Sequence, residues 1–190
     1  MDQRNETVRR PGVLALVGSP RRQGNTVFAV QVAAEELARR GVDCEPVLLC
    51  DYVIRLCEAD PDHSAGGAED DAEALLDRVW AADGLILATP IHFCNVSAQM
   101  KAFMDRTNDR FLRRQWLAPK AVGLMAIGGQ GGFTDTVSAM RRYLELIAPS
   151  GPPIAVATGH ADAVGEAQQS EEVRAAALAM AARMADILLT

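Results

Sequence analysis

Between the apolar run Val13 to Val17 and an amphipathic pattern beginning at Thr26 lies the polar stretch Gly18-Ser19-Pro20-Arg21-Arg22-Gln23-Gly24-Asn25-Thr26. A strand, a glycine-flanked polar loop and a helix start, in that order, form an anion site. The helix start leaves backbone N–H groups unpaired and carries the positive end of the helix dipole. Ser19, Asn25 and Thr26 bring side-chain donors, and Arg21 or Arg22 brings a charge-assisted one. The ligand suited to such a loop is a phosphate monoester or diphosphate. The plain alternative is a polar turn with a good helix cap, since Ser, Asn and Thr are the usual caps.

Spacing narrows the ligand. The loop of nucleotide hydrolases has four residues between its glycines, followed by Lys and then Ser or Thr. Here five residues separate Gly18 from Gly24, and Asn25 stands at the lysine position. The dinucleotide fingerprint G-x-G-x-x-G fails as well, because position 20 is proline and position 23 is glutamine. A loop that ends Gly-Asn-Thr before a helix resembles the flavin-phosphate loop of flavodoxin-like proteins.

Downstream, strands and helices alternate. Helix one runs from about Thr26 to Arg40, with Val27, Val30, Ala34, Leu37 and Ala38 on one face and Gly41 as a left-handed stop. Strand two lies near Cys44 to Leu49, and Cys50 to Asp70 reads as a long, partly mobile loop. Helix two turns Ala72, Leu75, Leu76 and Val79 inward. Asp83 to Pro90 is the central strand, ended by a proline that cannot extend the ladder. Helix three carries Met100, Phe103, Met104 and Thr107 on one side, and Phe111 to Lys120 is an arginine-rich connection with Trp116 exposed or at an interface. Ala121 to Ile127 is strand four. Helix four buries Val137, Met140, Leu144 and Ile147, Ile154 to Thr158 is strand five, and a last helix uses Val173, Ala177, Met180, Met184, Ile187 and Leu188. Five alternations predict an α/β three-layer sandwich: a five-stranded parallel sheet with helices on both faces, in the flavodoxin-like order 2-1-3-4-5. Ligands then bind at the switch point between strands one and three, outside the carboxyl ends of the strands.

Three loops converge there. The first holds phosphate. The second, Pro90-Ile91-His92-Phe93-Cys94-Asn95, is aromatic and apolar and suits a flat ring. The third, Gly128-Gly129-Gln130-Gly131-Gly132, lets bare backbone approach a ligand. Phosphate, planar surface and bare amides together match FMN laid over the strand tips.

The totals exclude other classes. A chain of 190 residues makes one domain, here 12–190 behind a loose tail of residues 1–11. Net charge is −6, so no basic field invites nucleic acid, and no apolar run approaches a membrane span. The polar stretch Met1 to Pro11 lacks the apolar core of a secretory signal, so a cytoplasmic protein is expected. The cysteines Cys44, Cys50, Cys57 and Cys94 form no C-x-x-C pair, and free thiols without a metal site are expected.

The segment Asp83 to Arg106, which includes Thr89-Pro90-Ile91-His92-Phe93-Cys94-Asn95-Val96-Ser97-Ala98-Gln99-Met100-Lys101, strongly resembles the NADPH-dependent FMN reductase family, near its iron–sulfur flavoproteins. The loop Gly18 to Thr26 matches the same family's Gly-Ser-x-Arg-x-x-Gly-Asn-Thr. The resemblance implies an FMN-binding flavodoxin-like fold, usually dimeric or tetrameric. Ser19, Arg21, Gly24, Asn25 and Thr26 would hold the phosphate. Pro90, Ile91, His92 and Phe93 would flank the ring and ribityl chain, with Gly128, Gly129, Gln130 and Gly131 at the ring edge. The family often has Tyr where His92 stands. His92 is a candidate contact to flavin or substrate, or a plain loop histidine. Lys101, Asp105 and Arg106 also match and are assigned to helix surface and subunit contacts. The compact cysteine cluster of iron–sulfur flavoproteins is missing, so no cluster is expected. The implied activity is ping-pong hydride transfer from NADPH or NADH through FMN to a small-molecule acceptor: a quinone, a free flavin, or a nitro or azo aromatic. A flavodoxin-like electron carrier and a flavin-dependent tailoring enzyme acting on one metabolite are the alternatives.

Overall fold

In the computed structural model, residues 9–57 and 70–190 are described. Five parallel strands form one sheet in the order β2-β1-β3-β4-β5. They are β1 (Gly12–Val17), β2 (Asp43–Leu48), β3 (Gly84–Pro90), β4 (Ala121–Gly128) and β5 (Ile154–His160). The helices are α1 (Asn25–Arg40), α2 (Ala72–Ala81), α3 (Ala98–Arg106), α4 (Asn108–Leu112), α5 (Phe133–Ile147) and α6 (Glu171–Leu188). The fold class and strand order expected from the alternation are those observed.

Strand β1 shows why both faces must be covered. Val13, Ala15 and Val17 point to one side and pack with α1 and α6. Leu14 and Leu16 point to the other and pack with α2, α3 and α5. The two-residue side-chain period thus feeds two separate cores from one strand. Phe103 and Met100, both on the expected face of α3, are fully buried in the second core. Helix α1 ends as its glycine suggested. Gly41 has φ 95°, its N–H donates to the Ala38 carbonyl, and the Val42 N–H donates to that of Leu37. This is the paired closure of a Schellman motif.

Two elements differ from the sequence reading. Asn108–Leu112 is a short helix, within what the sequence reading treated as the end of helix three and a connection. It is held from outside: Arg110 lies over the Trp80 ring at 4.9 Å and pairs with Asp77 at 2.7 Å. Strand β5 runs on to His160 because Ile127 and Gly128 continue the ladder opposite Gly159 and His160. Most of the loop expected at Cys50 to Asp70 lies outside the described residues, as does most of the tail. Among the described residues no helix is long and apolar enough to cross a membrane.

The tips of β1 and β3 are tied by one buried serine. Ser97 caps α3 by accepting from the Met100 N–H at 3.2 Å, and its hydroxyl donates to the Gly18 carbonyl at 2.6 Å. The Ser97 N–H in turn donates to Thr89 Oγ1 at 2.9 Å. Replacing Ser97 with Ala removes the cap and leaves the buried Gly18 carbonyl without its hydroxyl donor. Ser97→Ala should therefore cost about 2 kcal/mol in urea unfolding; an unchanged midpoint would show that the tie contributes nothing.

Candidate functional site

A cleft of about 350 Å³ opens at the carboxyl ends of the strands, over the switch point between β1 and β3. The first loop forms one end. Ser19, Arg21, Gly24, Asn25 and Thr26 all line it. The loop is braced from within. The Ser19 hydroxyl donates to the Arg21 carbonyl at 3.0 Å and accepts from the Arg21 N–H at 3.1 Å. The Gly24 N–H donates to the same carbonyl at 3.2 Å. A Cβ on Gly24 would lie 2.8 Å from Ser19 Oγ, so only glycine closes the loop this tightly.

Helix α1 starts at Asn25 with no side-chain cap. Its first N–H groups have no intrahelical acceptor by construction, and the Phe28 N–H is the first to bond back, to Gly24. Arg22 is drawn aside by Asp51 at 2.7 Å, whereas the exposed Arg21 side chain has no partner among the described residues. Open amides at a helix start and one unpaired guanidinium make an anion site.

The Asn25 side chain is occupied elsewhere. It donates to the Ala163 carbonyl at 2.8 Å and accepts from the N–H groups of Gly165 at 3.1 Å and Ala167 at 3.3 Å. Its side-chain amide fastens the turn after β5 to the start of α1.

Pro90, Ile91 and His92 form the second wall. Phe93 does not line the cleft. It sits at the apex of a tight turn in which His92 and Asn95 exchange both backbone hydrogen bonds, at 2.9 and 3.0 Å. Phe93 and Cys94 have φ of 48° and 59°, which throws the Phe93 ring fully into solvent. Left-handed φ at both central residues is the primed hairpin geometry, ordinarily left to Asn and Gly. Two bulky residues held there mark a strained turn beside the cleft.

The third wall is Gly128 and Gly129; Gln130 and Gly131 lie beyond the lining. Close packing explains the glycines. A Cβ on Gly128 would meet Ile91 Cβ at 2.9 Å, and one on Gly132, where φ is 78°, would strike Cys94 Cα at 2.6 Å. The second and third loops are thus pressed together, and any added carbon would wedge them apart.

A fourth wall escaped the sequence reading: Ala161 and Asp162, after β5. Glu166 shapes this turn. Its carboxylate accepts from the N–H groups of Asp162 at 2.6 Å and Ala163 at 2.9 Å, and those two donors hold its carboxyl below the usual carboxylate range. The His160 ring packs at a tilt of 60° against Phe133, 4.9 Å between centroids, and bonds the Gly129 carbonyl through Nδ1 at 3.2 Å.

Elsewhere the matched charges behave as surface. Lys101 pairs with Asp105 and Arg106 with Asp70. All four cysteines are free, and burial pushes the Cys44 thiol up to about 12. Among the described residues no group of three or more His, Cys, Asp or Glu side chains is placed to hold a metal ion.

The residues present fit FMN. One end of the cleft offers amides and a guanidinium to a phosphate, and the other walls offer proline, isoleucine, histidine and bare glycine to a chain and flat ring. The comparisons agree with the geometry. Residues 11–163 match the model of the NADPH-dependent FMN reductase family. An iron–sulfur flavoprotein of Methanocaldococcus jannaschii is 32% identical over 136 residues, covering 69% of this chain and 70% of that protein. The Bacillus subtilis protein YwqN, described as an NAD(P)H-dependent FMN-containing oxidoreductase, is 32% identical over 126 residues, 62% of this chain and 66% of that one. Among solved structures, RosB bound to 8-demethyl-8-formylriboflavin-5'-phosphate superposes with a TM-score of 0.80 at 18% identity, covering 94% of this chain and 79% of that one. The shared fold is the flavodoxin-like sandwich. The chain belongs to the NADPH-dependent FMN reductase family, and is an FMN flavoprotein and NAD(P)H-dependent oxidoreductase.

Proposed function

We propose that the protein passes reducing equivalents from NADPH or NADH to a small, flat acceptor by a ping-pong route in which the two substrates occupy the same place in turn. The observation that carries this is the cleft of about 350 Å³ over the switch point. FMN held there would leave the open mouth of the cleft to the two substrates in turn. FMN supplies the two-electron chemistry when bound.

The chain's own residues bind and orient. Arg21 and the first amides of α1 fix the phosphate end, and the braced Ser19 holds that loop in shape. Ile91 and Gly128, packed closely together in the cleft wall, would support the ring. Backbone N–H groups of the glycine loop would be the donors available to negative charge at the ring edge. No acid–base side chain is required of the protein, since the two-electron chemistry belongs to the cofactor. A quinone, a free flavin or a nitro or azo aromatic meets the size and flatness requirement.

The same reading includes self-association. The wholly exposed Phe93 ring at the rim of the cleft is a large apolar group on a strained turn, and a second copy covering it would complete the site's edge. Sedimentation of FMN-loaded protein should give a multiple of the 20.4 kDa chain; a monomer at micromolar concentration would remove this element.

Steady-state NADPH oxidation tests the route. With a quinone as acceptor, initial rates at several fixed acceptor concentrations should give parallel double-reciprocal lines. Converging lines would show both substrates bound together. FMN-loaded protein that oxidises NADPH with none of the named acceptors would refute the acceptor class.

A further inference from the structure

The turn after β5 contributes a side chain whose chemistry differs from the rest of the cleft. Asp162 lines the cleft, and its carboxylate has no hydrogen-bond or ionic partner among the described residues. Its position is fixed from three sides. The Asp162 N–H is held by Glu166 at 2.6 Å. The preceding Ala161 N–H donates to the Gly128 carbonyl at 3.1 Å, continuing the β4–β5 ladder. The following Ala163 carbonyl is held by Asn25 at 2.8 Å. Beneath it lies Gly129, where a Cβ would come within 2.4 Å of Asp162 Cβ and Cγ. The aspartate is therefore set directly over the backbone of the third loop, and residue 129 cannot carry a side chain without displacing it.

A carboxylate in that place is acceptor-only. The neighbouring first loop is an anion site, so the two walls sort a ligand by charge. A second phosphate or carboxylate near Asp162 would be repelled, while hydroxyl groups would be bound. We infer that Asp162 accepts hydrogen bonds from the polyol chain that joins the ring to the phosphate. The inference rests on the flavin reading above and deepens it: the fourth wall adds a carboxylate acceptor for the ribityl hydroxyls. Asn25 serves this indirectly, by tying the Asp162 turn to the helix that holds the phosphate.

Three flavins separate the contributions: FMN, riboflavin and lumiflavin, which lacks the polyol chain. Each is titrated by calorimetry and fluorescence into apoprotein carrying Asp162 or Asp162→Asn. The substitution should raise the Kd for FMN about tenfold, the scale of one charge-assisted hydrogen bond, and that for riboflavin by a similar factor. Lumiflavin binding and the thermal midpoint of the apoprotein should not move, since the Asp162 carboxylate has no protein partner. An unchanged FMN Kd in Asp162→Asn, or equal losses for all three flavins, overturns the inference. Wild-type protein that binds none of the three fails earlier, at the flavin reading itself. A crystal structure of FMN-loaded protein gives an independent readout. An Asp162 oxygen within hydrogen-bond distance of a chain hydroxyl supports the inference, and a carboxylate turned to solvent contradicts it.

Discussion

The contact between Gly18 and Ser97 sets the geometry of everything above the sheet. Both backbone groups of Gly18 are used: its N–H donates to the Ala88 carbonyl at 2.7 Å, and its carbonyl accepts from Ser97 Oγ at 2.6 Å. No Cβ fits, because one would lie 2.7 Å from that same oxygen and 2.9 Å from Met100 Cβ. The chain therefore leaves β1 in one direction only. That direction delivers the first loop and the start of α1 to the cleft. Because Ser97 also caps α3, and Thr89 holds the Ser97 N–H, the exit of β3 is fixed by the same small group of atoms. The phosphate end and the ring wall share one anchor.

Tight backbone approach then does most of the shaping. Gly128 under Ile91, Gly132 under Cys94 and Gly129 under Asp162 are three places where a single carbon would push two loops apart. The strained turn at Phe93 and Cys94 persists because Gly132 packs against it and because His92 and Asn95 close it with two hydrogen bonds. A site assembled this way offers mostly amides, carbonyls and apolar edges, with His92 and Asp162 as its titratable side chains besides Arg21. That composition suits an enzyme whose chemistry belongs to its cofactor and whose own task is to bind and orient it.

Much of this was legible in the chain. The alternation of apolar runs with amphipathic stretches gave the parallel sheet, and its switch point located the three loops before any coordinate did. Leu75, Met100, Phe103 and Met180 were placed inward by spacing alone, and each is buried. What escaped is tertiary. Asn108–Leu112 is too short and polar to show a period, and its support comes from Trp80 and Asp77. Asp162 carries no local signal, since it joins the cleft only because β5 lies beside β4. The Asn25 side chain reads as a phosphate donor in a motif, yet its partners lie at Ala163, Gly165 and Ala167. Phe93 reads as a ring wall, but the sign of φ at the turn points it outward. Ser97 could have been found as a cap before an apolar helical pattern; its bond to Gly18 could not.

The central claim is that the open amides of α1 and the Arg21 guanidinium hold a phosphate dianion, and phosphorus NMR of the FMN-loaded protein tests it most directly. The phosphate dianion of free FMN takes up a proton at a pH of about 6. The amide donors of α1 and the Arg21 guanidinium favour the dianion and lower that value. The bound resonance should hold its position as pH falls from about 8 to about 5. A resonance that titrates alongside free FMN would place the phosphate in solvent and contradict the account.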